Sequence, residues 1–283
     1  MLVFVLPLKS ERISRDWTLT CRLFERCLRS VCGQTSMNFR VVVVCNERPE
    51  IHFDHPHVEF VEVDFPPPLP DPGEVQTGGY EYSRSKDIAR KNADKARKIL
   101  TGLDYAARFS PTHTMVVDAD DCVSSKLAAF VEQNPNSNGW YFKKGYFYTE
   151  GSRFLNLNRQ NFNVVCGTSV VVAYHLRNVL LASPDFYQHA FYDPPSGLVP
   201  LPFAGAVYSM ANGDNIYMSV DTRNQIYGTL LKRILSKEIL SIARKVMEFR
   251  PTLLSASKRR EFGLYSLADV DRRAISALKV TAA

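Results

Sequence analysis

Apolar residues fill Leu2 to Leu8 (LVFVLPL), and Phe39 to Cys45 (FRVVVVC) repeats the pattern. Such runs, with little alternation, suit strands covered on both faces. Between them Trp17, Leu19, Leu23, Phe24, Cys27, Leu28 and Val31 recur at three- and four-residue steps, which predicts an amphipathic helix stopped at Gly33. Val58 to Val63 (VEFVEV) alternates and predicts a third strand. Strand, helix and strand in this order predict a parallel sheet with right-handed crossovers.

The pattern breaks between Asp64 and Ser85, where PPPLPDPG and TGG predict a long loop. Ser85 to Ala107 is helical again, with Ile88, Ala96, Ile99, Leu100 and Leu103 among many basic residues. Thr114 to Val117 (TMVV) predicts a fourth buried strand, followed by a helix near Ser124 or Ser125, either of which can cap it. Gly139 to Tyr148 is aromatic and strand-like, and Val164 to Ala173 reads as a strand or two. Short helices are expected around Leu176 to Leu181 and Phe186 to Phe191, and a strand from Phe203 to Met210. Thr222 to Phe249 is the longest helical pattern. The expected fold class is α/β: a mainly parallel, Rossmann-like central sheet flanked by helices over residues 1–221, with a basic helical extension over residues 222–283.

Composition changes this picture little. A chain of 283 residues with 45% apolar content can bury a full core, and 23% charged residues is ordinary for a globular protein. No apolar run approaches the ~20 residues of a membrane span, and Met1 to Leu8 lacks the features of a secretory signal. Six scattered cysteines without paired zinc spacing favour a reduced, cytoplasmic setting. Of the net charge of +6, Thr222 to the end holds 13 Lys and Arg against 5 Asp and Glu, a net +8, leaving about −2 for the rest. The basicity is therefore local and marks no nucleic-acid binder. The 222–249 helix offers three roles: docking on the core, pairing in a homo-oligomer, or peripheral contact with the anionic inner face of a membrane.

Chemistry gathers at Asp118, Asp120 and Asp121, directly after the fourth strand. Ligands of open parallel sheets bind beyond the carboxyl ends of the strands. Three carboxylates within four residues repel one another unless a cation or hydrogen-bond donors compensate. Mn2+ and Mg2+ take such oxygen ligands together with substrate phosphates. On an extended segment Asp118 and Asp120 share one side, with Asp121 turned elsewhere to hold a basic side chain or the next helix.

The run Thr114-Met115-Val116-Val117-Asp118-Ala119-Asp120-Asp121, preceded by Gly102-Leu103 and Ala106-Ala107, resembles the hallmark of family 2 type glycosyltransferases with the A-type fold. Pro7-Leu8-Lys9-Ser10 after the first strand and the Ser30, Gln34, Thr35 stretch before the second are similar to the same group, so the resemblance spans roughly residues 1–215. It implies a nucleotide-diphosphate-sugar donor, a glycan or other hydroxyl acceptor, hexosyltransferase-like inversion, and Mn2+ or Mg2+ on the Asp-x-Asp element. It further implies Asp118 near ribose or metal, and Asp120 as the principal metal contact. Pro7 and Leu8 would lie near the nucleobase, Asp64 by base or ribose, and one of Lys95, Arg97 and Lys98 would face phosphate. The Cys166-Gly167-Thr168 turn resembles the small-residue turn lining the sugar pocket.

The group's usual Glu-Asp pair for the general base is absent from the second half of the chain. Asp185, His189, Asp193 and Asp214 remain as candidates. His189, among aromatic residues suited to a sugar face, and Asp214, after an apolar strand, are favoured without ranking. The HFDHPH run (His52, His55, His57) matches no zinc spacing and reads as a surface loop. Lys9-Ser10-Glu11-Arg12-Ile13 lacks the Gly-rich loop expected of a nucleotidyltransferase. A catalytically silent nucleotide- or saccharide-binding protein of the same fold is the alternative function.

Overall fold

The computed structural model describes residues 1–69, 80–183, 186–187, 197–210 and 249–267. Its first half contains β1 (Leu2–Pro7), α1 (Trp17–Cys32), β2 (Phe39–Cys45), β3 (Val58–Glu62), α2 (Tyr80–Ala106), β4 (His113–Val116), β5 (Cys122–Val123), α3 (Leu127–Gln133) and β6 (Gly139–Tyr141). There follow β7 (Gly145–Thr149), β8 (Phe154–Asn158), α4 (Phe162–Val165), β9 (Val170–Ala173), β10 (Leu181–Ser183), β11 (Phe186–Tyr187), β12 (Val199–Pro200), β13 (Ala206–Met210), β14 (Phe249–Leu253) and α5 (Ala256–Phe262).

The central sheet has the order β12-β6-β9-β4-β1-β2-β3. β3, β2, β1 and β4 are mutually parallel, and β9 alone runs antiparallel between β4 and β6. This is the mainly parallel sheet flanked by helices that the apolar runs predict. Successive side chains of a strand face opposite ways, and β1 shows the consequence. Leu2, Phe4 and Leu6 enter the core with Phe24, Cys27, Leu28 and Val31 of α1. On the other face Val5 meets Ile99 and Leu103 of α2, and Val3 meets Ala106. Burial on both faces, roughly 1.5–3 kcal/mol for each large side chain, is why the strand carries no alternation.

The α1 boundaries follow from capping. Asp16 accepts a hydrogen bond from the Leu19 amide at 2.9 Å, and the helix stops at Gly33. Helix α2 starts at Tyr80, not Ser85, and its line across the sheet depends on Gly102. A Cβ there would lie 2.5 Å from Val5 Cγ1 and 3.0 Å from Val44 Cγ2.

Other expectations change. α3 begins at Leu127 behind Lys126, whose own side chain makes no cap, although the Ser124 hydroxyl oxygen accepts the Lys126 amide at 3.4 Å. The Ser124 hydroxyl also donates to Glu261 at 3.0 Å. The aromatic 139–148 stretch splits between two sheets. Phe186–Tyr187 is a short strand, not the start of a helix. A second sheet, β14-β8-β7-β13-β5, leans on the first, and β14 begins at Phe249, which ends the predicted long helix. The remainder of that helix, and with it its docking, oligomer or membrane role, lies outside the described residues. No described helix is long and apolar enough to cross a membrane.

Residues 249–267 are tied to the first half of the chain. The Ser30 hydroxyl donates to the Phe262 carbonyl at 2.6 Å, and Gly263, at φ 57°, brings its α-carbon so close that a Cβ would sit 2.7 Å from Ser30 Cα. Only glycine adopts this left-handed cap at that distance.

Candidate functional site

The chain runs from β1 outward through β2 to β3, then returns across the sheet by α2 to place β4 on the other side of β1. This reversal makes a topological switch point between the carboxyl ends of β1 and β4, and open α/β sheets take their ligands in the crevice at such a point. Asp118 follows β4 into that crevice. The Asp121 amide donates to the Asp118 carbonyl at 3.0 Å, so residues 118–121 form a tight turn, not an extended segment. Alternation therefore does not sort these side chains. Asp118 and Asp120 are partly exposed, whereas Asp121 is fully buried.

Neighbouring strands hold the turn. The antiparallel register pairs Met115 with Val171 and His113 with Ala173. Continued past the strand, it sets Asp118 opposite Thr168, whose hydroxyl oxygen accepts the Asp118 N–H at 2.9 Å. The Cys166-Gly167-Thr168 turn thus joins the acidic turn directly. The buried Asp121 carboxylate accepts the Ser209 N–H at 3.0 Å and the Cys166 thiol at 3.4 Å, and it also bonds the Thr168 hydroxyl. Asp121 therefore holds β13 and the 166–168 turn instead of a basic side chain or the next helix. Burial pushes its pKa well above the usual carboxylate range, and the charges of Asp120 and Asp118 add to the rise. Burial likewise raises the Cys166 and Cys27 thiols, so neither is a ready thiolate.

The Ser30, Gln34 and Thr35 stretch acquires a physical role here. The Val123 amide donates to Ser30 Oγ at 2.9 Å, Gln34 bonds the Ser124 carbonyl and the Ala128 amide, and the Thr35 amide donates to the Ser125 carbonyl. These side chains at the end of α1 clamp the segment that leaves the acidic turn.

The basic candidates on α2 separate. Lys95 Nζ lies 2.5 Å from Asp118 Oδ1, with side-chain exposures of 24% and 14%. Arg97 sits over the Phe65 ring at 5.9 Å, beside the end of β3. Lys98 turns inward: its ammonium, 1% exposed, is buried against Asp94 at 2.9 Å. Pro7 ends β1 at the crevice but is buried, and Leu8 is core. Neither side chain therefore presents a free face to a nucleobase. Asp64 is exposed just beyond β3. His189, Asp214, Asp185 and Asp193 lie outside the described residues.

Sequence reasoning missed Arg26, Tyr208 and Ser209. Arg26 is fully buried on α1, 2.5 Å from Glu150, and donates to Ser209 Oγ at 3.1 Å, behind the Ser209 amide that holds Asp121. An arginine inside the apolar stripe of a helix was the available signal, because a buried guanidinium needs a partner. Tyr208, buried beside the cluster, has its phenol pKa raised by burial and then by Asp121 and Asp120.

Among the described residues no group of three or more His, Cys, Asp and Glu side chains is placed to hold a metal ion. The donor set of the turn is the Asp118 and Asp120 carboxylates. One or two carboxylates fit a hard divalent cation that completes its shell with water and phosphate oxygens. His55 and His57 pack on Phe39, with ring centroids 5.8 and 4.9 Å away, as members of a loop.

No family model and no curated protein matches the chain. Among solved structures, S. aureus TarS is similar over 74% of this chain at 12% identity and a TM-score of 0.41, and its 1–349 form over 74% at 12% and 0.38. HddC from Yersinia pseudotuberculosis, complexed with GMP-PN, is similar over 74% at 10% identity and a TM-score of 0.32. This chain spans 37% and 60% of the two TarS chains and 90% of HddC.

Proposed function

We propose that the chain is a glycosyltransferase that binds a nucleotide-diphosphate-sugar in the crevice between β1 and β4 and transfers the sugar to a hydroxyl acceptor with inversion. The observation that carries this reading is the acidic turn at the sheet's switch point, pinned by Thr168 and faced by Lys95. The motif resemblance in the sequence supports it. Asp118 and Asp120 would hold Mn2+ or Mg2+, which supplies charge neutralisation for a departing diphosphate. Thr168 fixes the Asp118 backbone, and buried Asp121 keeps the turn from shifting when charge accumulates. Lys95 would bear on the diphosphate, and Arg97 and Asp64 on the nucleoside side, while the buried 166–168 turn would back the acidic turn from behind.

In the transfer, the acceptor oxygen forms a bond to the anomeric carbon while the carbon–oxygen bond to the diphosphate breaks. The diphosphate leaves with the electron pair, and a general base, His189 or Asp214, takes the acceptor's proton.

A thermal-shift screen of nucleoside diphosphates with and without Mn2+ tests the donor site. Ligand at about 100 times its Kd adds roughly 2.7 kcal/mol of stability, an increment that Asp120→Ala should abolish while leaving the unliganded melting point near that of the parent. No stabilisation by any nucleoside diphosphate would remove the reading. Stabilisation without hydrolysis or transfer of any nucleotide-sugar would assign the silent binding role instead.

A further inference from the structure

We infer that Lys95 is a resident counter-cation of the acidic turn, which a divalent metal must displace from Asp118, so that metal and nucleoside diphosphate enter together and not metal first. The inference rests on the nucleotide and metal reading of this site. Lys95 Nζ bonds Asp118 Oδ1 at 2.5 Å, and both side chains are mostly buried. Less water screens the pair than at an open surface, and a second cation on the same carboxylate would repel the ammonium at close range. The lysine's origin is fixed, because α2 lies on Val5 and Val44 through Gly102, two helical turns further along. Its four-carbon stem is nevertheless flexible. A metal arriving alone therefore competes with Lys95 for Asp118. A nucleoside diphosphate changes the balance in two ways: its oxygens give the ammonium another partner, and they complete the metal's shell. Each ligand then raises the other's affinity by the same factor.

The test measures free Mn2+ by electron paramagnetic resonance during titration of the 283-residue chain, alone and with saturating UDP or GDP, for the parent, Lys95→Gln and Lys91→Gln. Lys91 lies one turn earlier on α2 and bonds Asp87 at 2.6 Å, so its variant removes a nearby charge without touching Asp118. Lys95→Gln should bind Mn2+ alone about tenfold more tightly than the parent, with a correspondingly smaller gain on adding nucleotide. Lys91→Gln should change either affinity less than about twofold. Circular dichroism checks that each variant keeps the fold. Tighter Mn2+ binding in the nucleotide-bound parent, with Lys95→Gln indistinguishable from Lys91→Gln, overturns the competition alone. Absence of Mn2+ binding by every form, with or without nucleotide, overturns the metal reading and the competition together.

Discussion

Replacing Gly102 with alanine sets two effects of known size against each other. Alanine is a better helix former than glycine by about 1 kcal/mol in a helix interior, so on propensity alone the variant gains. The added Cβ, however, would stand 2.5 Å from Val5 Cγ1 and 3.0 Å from Val44 Cγ2, where carbon pairs prefer about 3.5–4.0 Å. Relief requires a displacement of roughly 1 Å at the closer contact. Val5 and Val44 are fully buried, on adjoining strands of the central sheet, and β-branched side chains have little rotamer freedom to yield. Overpacking of this kind costs about 1–3 kcal/mol, and the stiffness of both neighbours puts it towards the upper end. The net expectation is a loss of about 1–2 kcal/mol. Urea unfolding followed by circular dichroism measures it, read as a lower midpoint at unchanged slope. Truncating Val5 to alanine removes the nearer obstacle, so Gly102→Ala should cost at least about 0.5 kcal/mol less in that background. A variant as stable as the parent, or a cost unaffected by Val5→Ala, would refute the reasoning that close contact positions α2.

Thr168→Val keeps the shape but leaves the Asp118 amide and the buried Asp121 carboxyl each short of a partner. It should cost about 1–3 kcal/mol in urea unfolding, more than Thr168→Ser, which keeps the hydroxyl; an equal or smaller loss would remove the hydroxyl's role. His113 is buried against Trp140, and its Nε2 bonds the Ser137 carbonyl at 2.8 Å. Burial holds its pKa below the ordinary 6.5. The unfolded chain thus takes up a proton that the folded chain refuses, so stability is present above about pH 6.5 and lost as pH falls through that value towards the folded pKa. The drop in unfolding free energy between about pH 7.5 and 5.5 should shrink in His113→Gln; an unchanged drop would show that His113 is not its source.

Much of the central sheet was legible in the sequence. The runs LVFVLPL and FRVVVVC announced strands because burial on both faces leaves no polar alternation. The stop of α1 at Gly33 was legible too, whereas its cap at Asp16 emerged from the structure. The position of the acidic turn followed from a strand end and three carboxylates. β8 and the second sheet were not legible. FLNLN is short and weakly patterned, and its partners lie as far away as β14 in a different part of the chain.

What the sequence determined by itself was local: which segments are strands or helices, and that Asp118, Asp120 and Asp121 stand where a parallel strand ends. Only the tertiary structure decided what those carboxylates touch. The antiparallel insertion of β9 beside β4 brings Thr168 onto Asp118, separating Asp121 from its neighbours as a buried anchor, and the crossing of α2 chooses Lys95 for the turn while burying Lys98 with Asp94. The reason is that periodicity reports which face of an element is apolar, whereas register and partner choice are settled between segments distant in sequence.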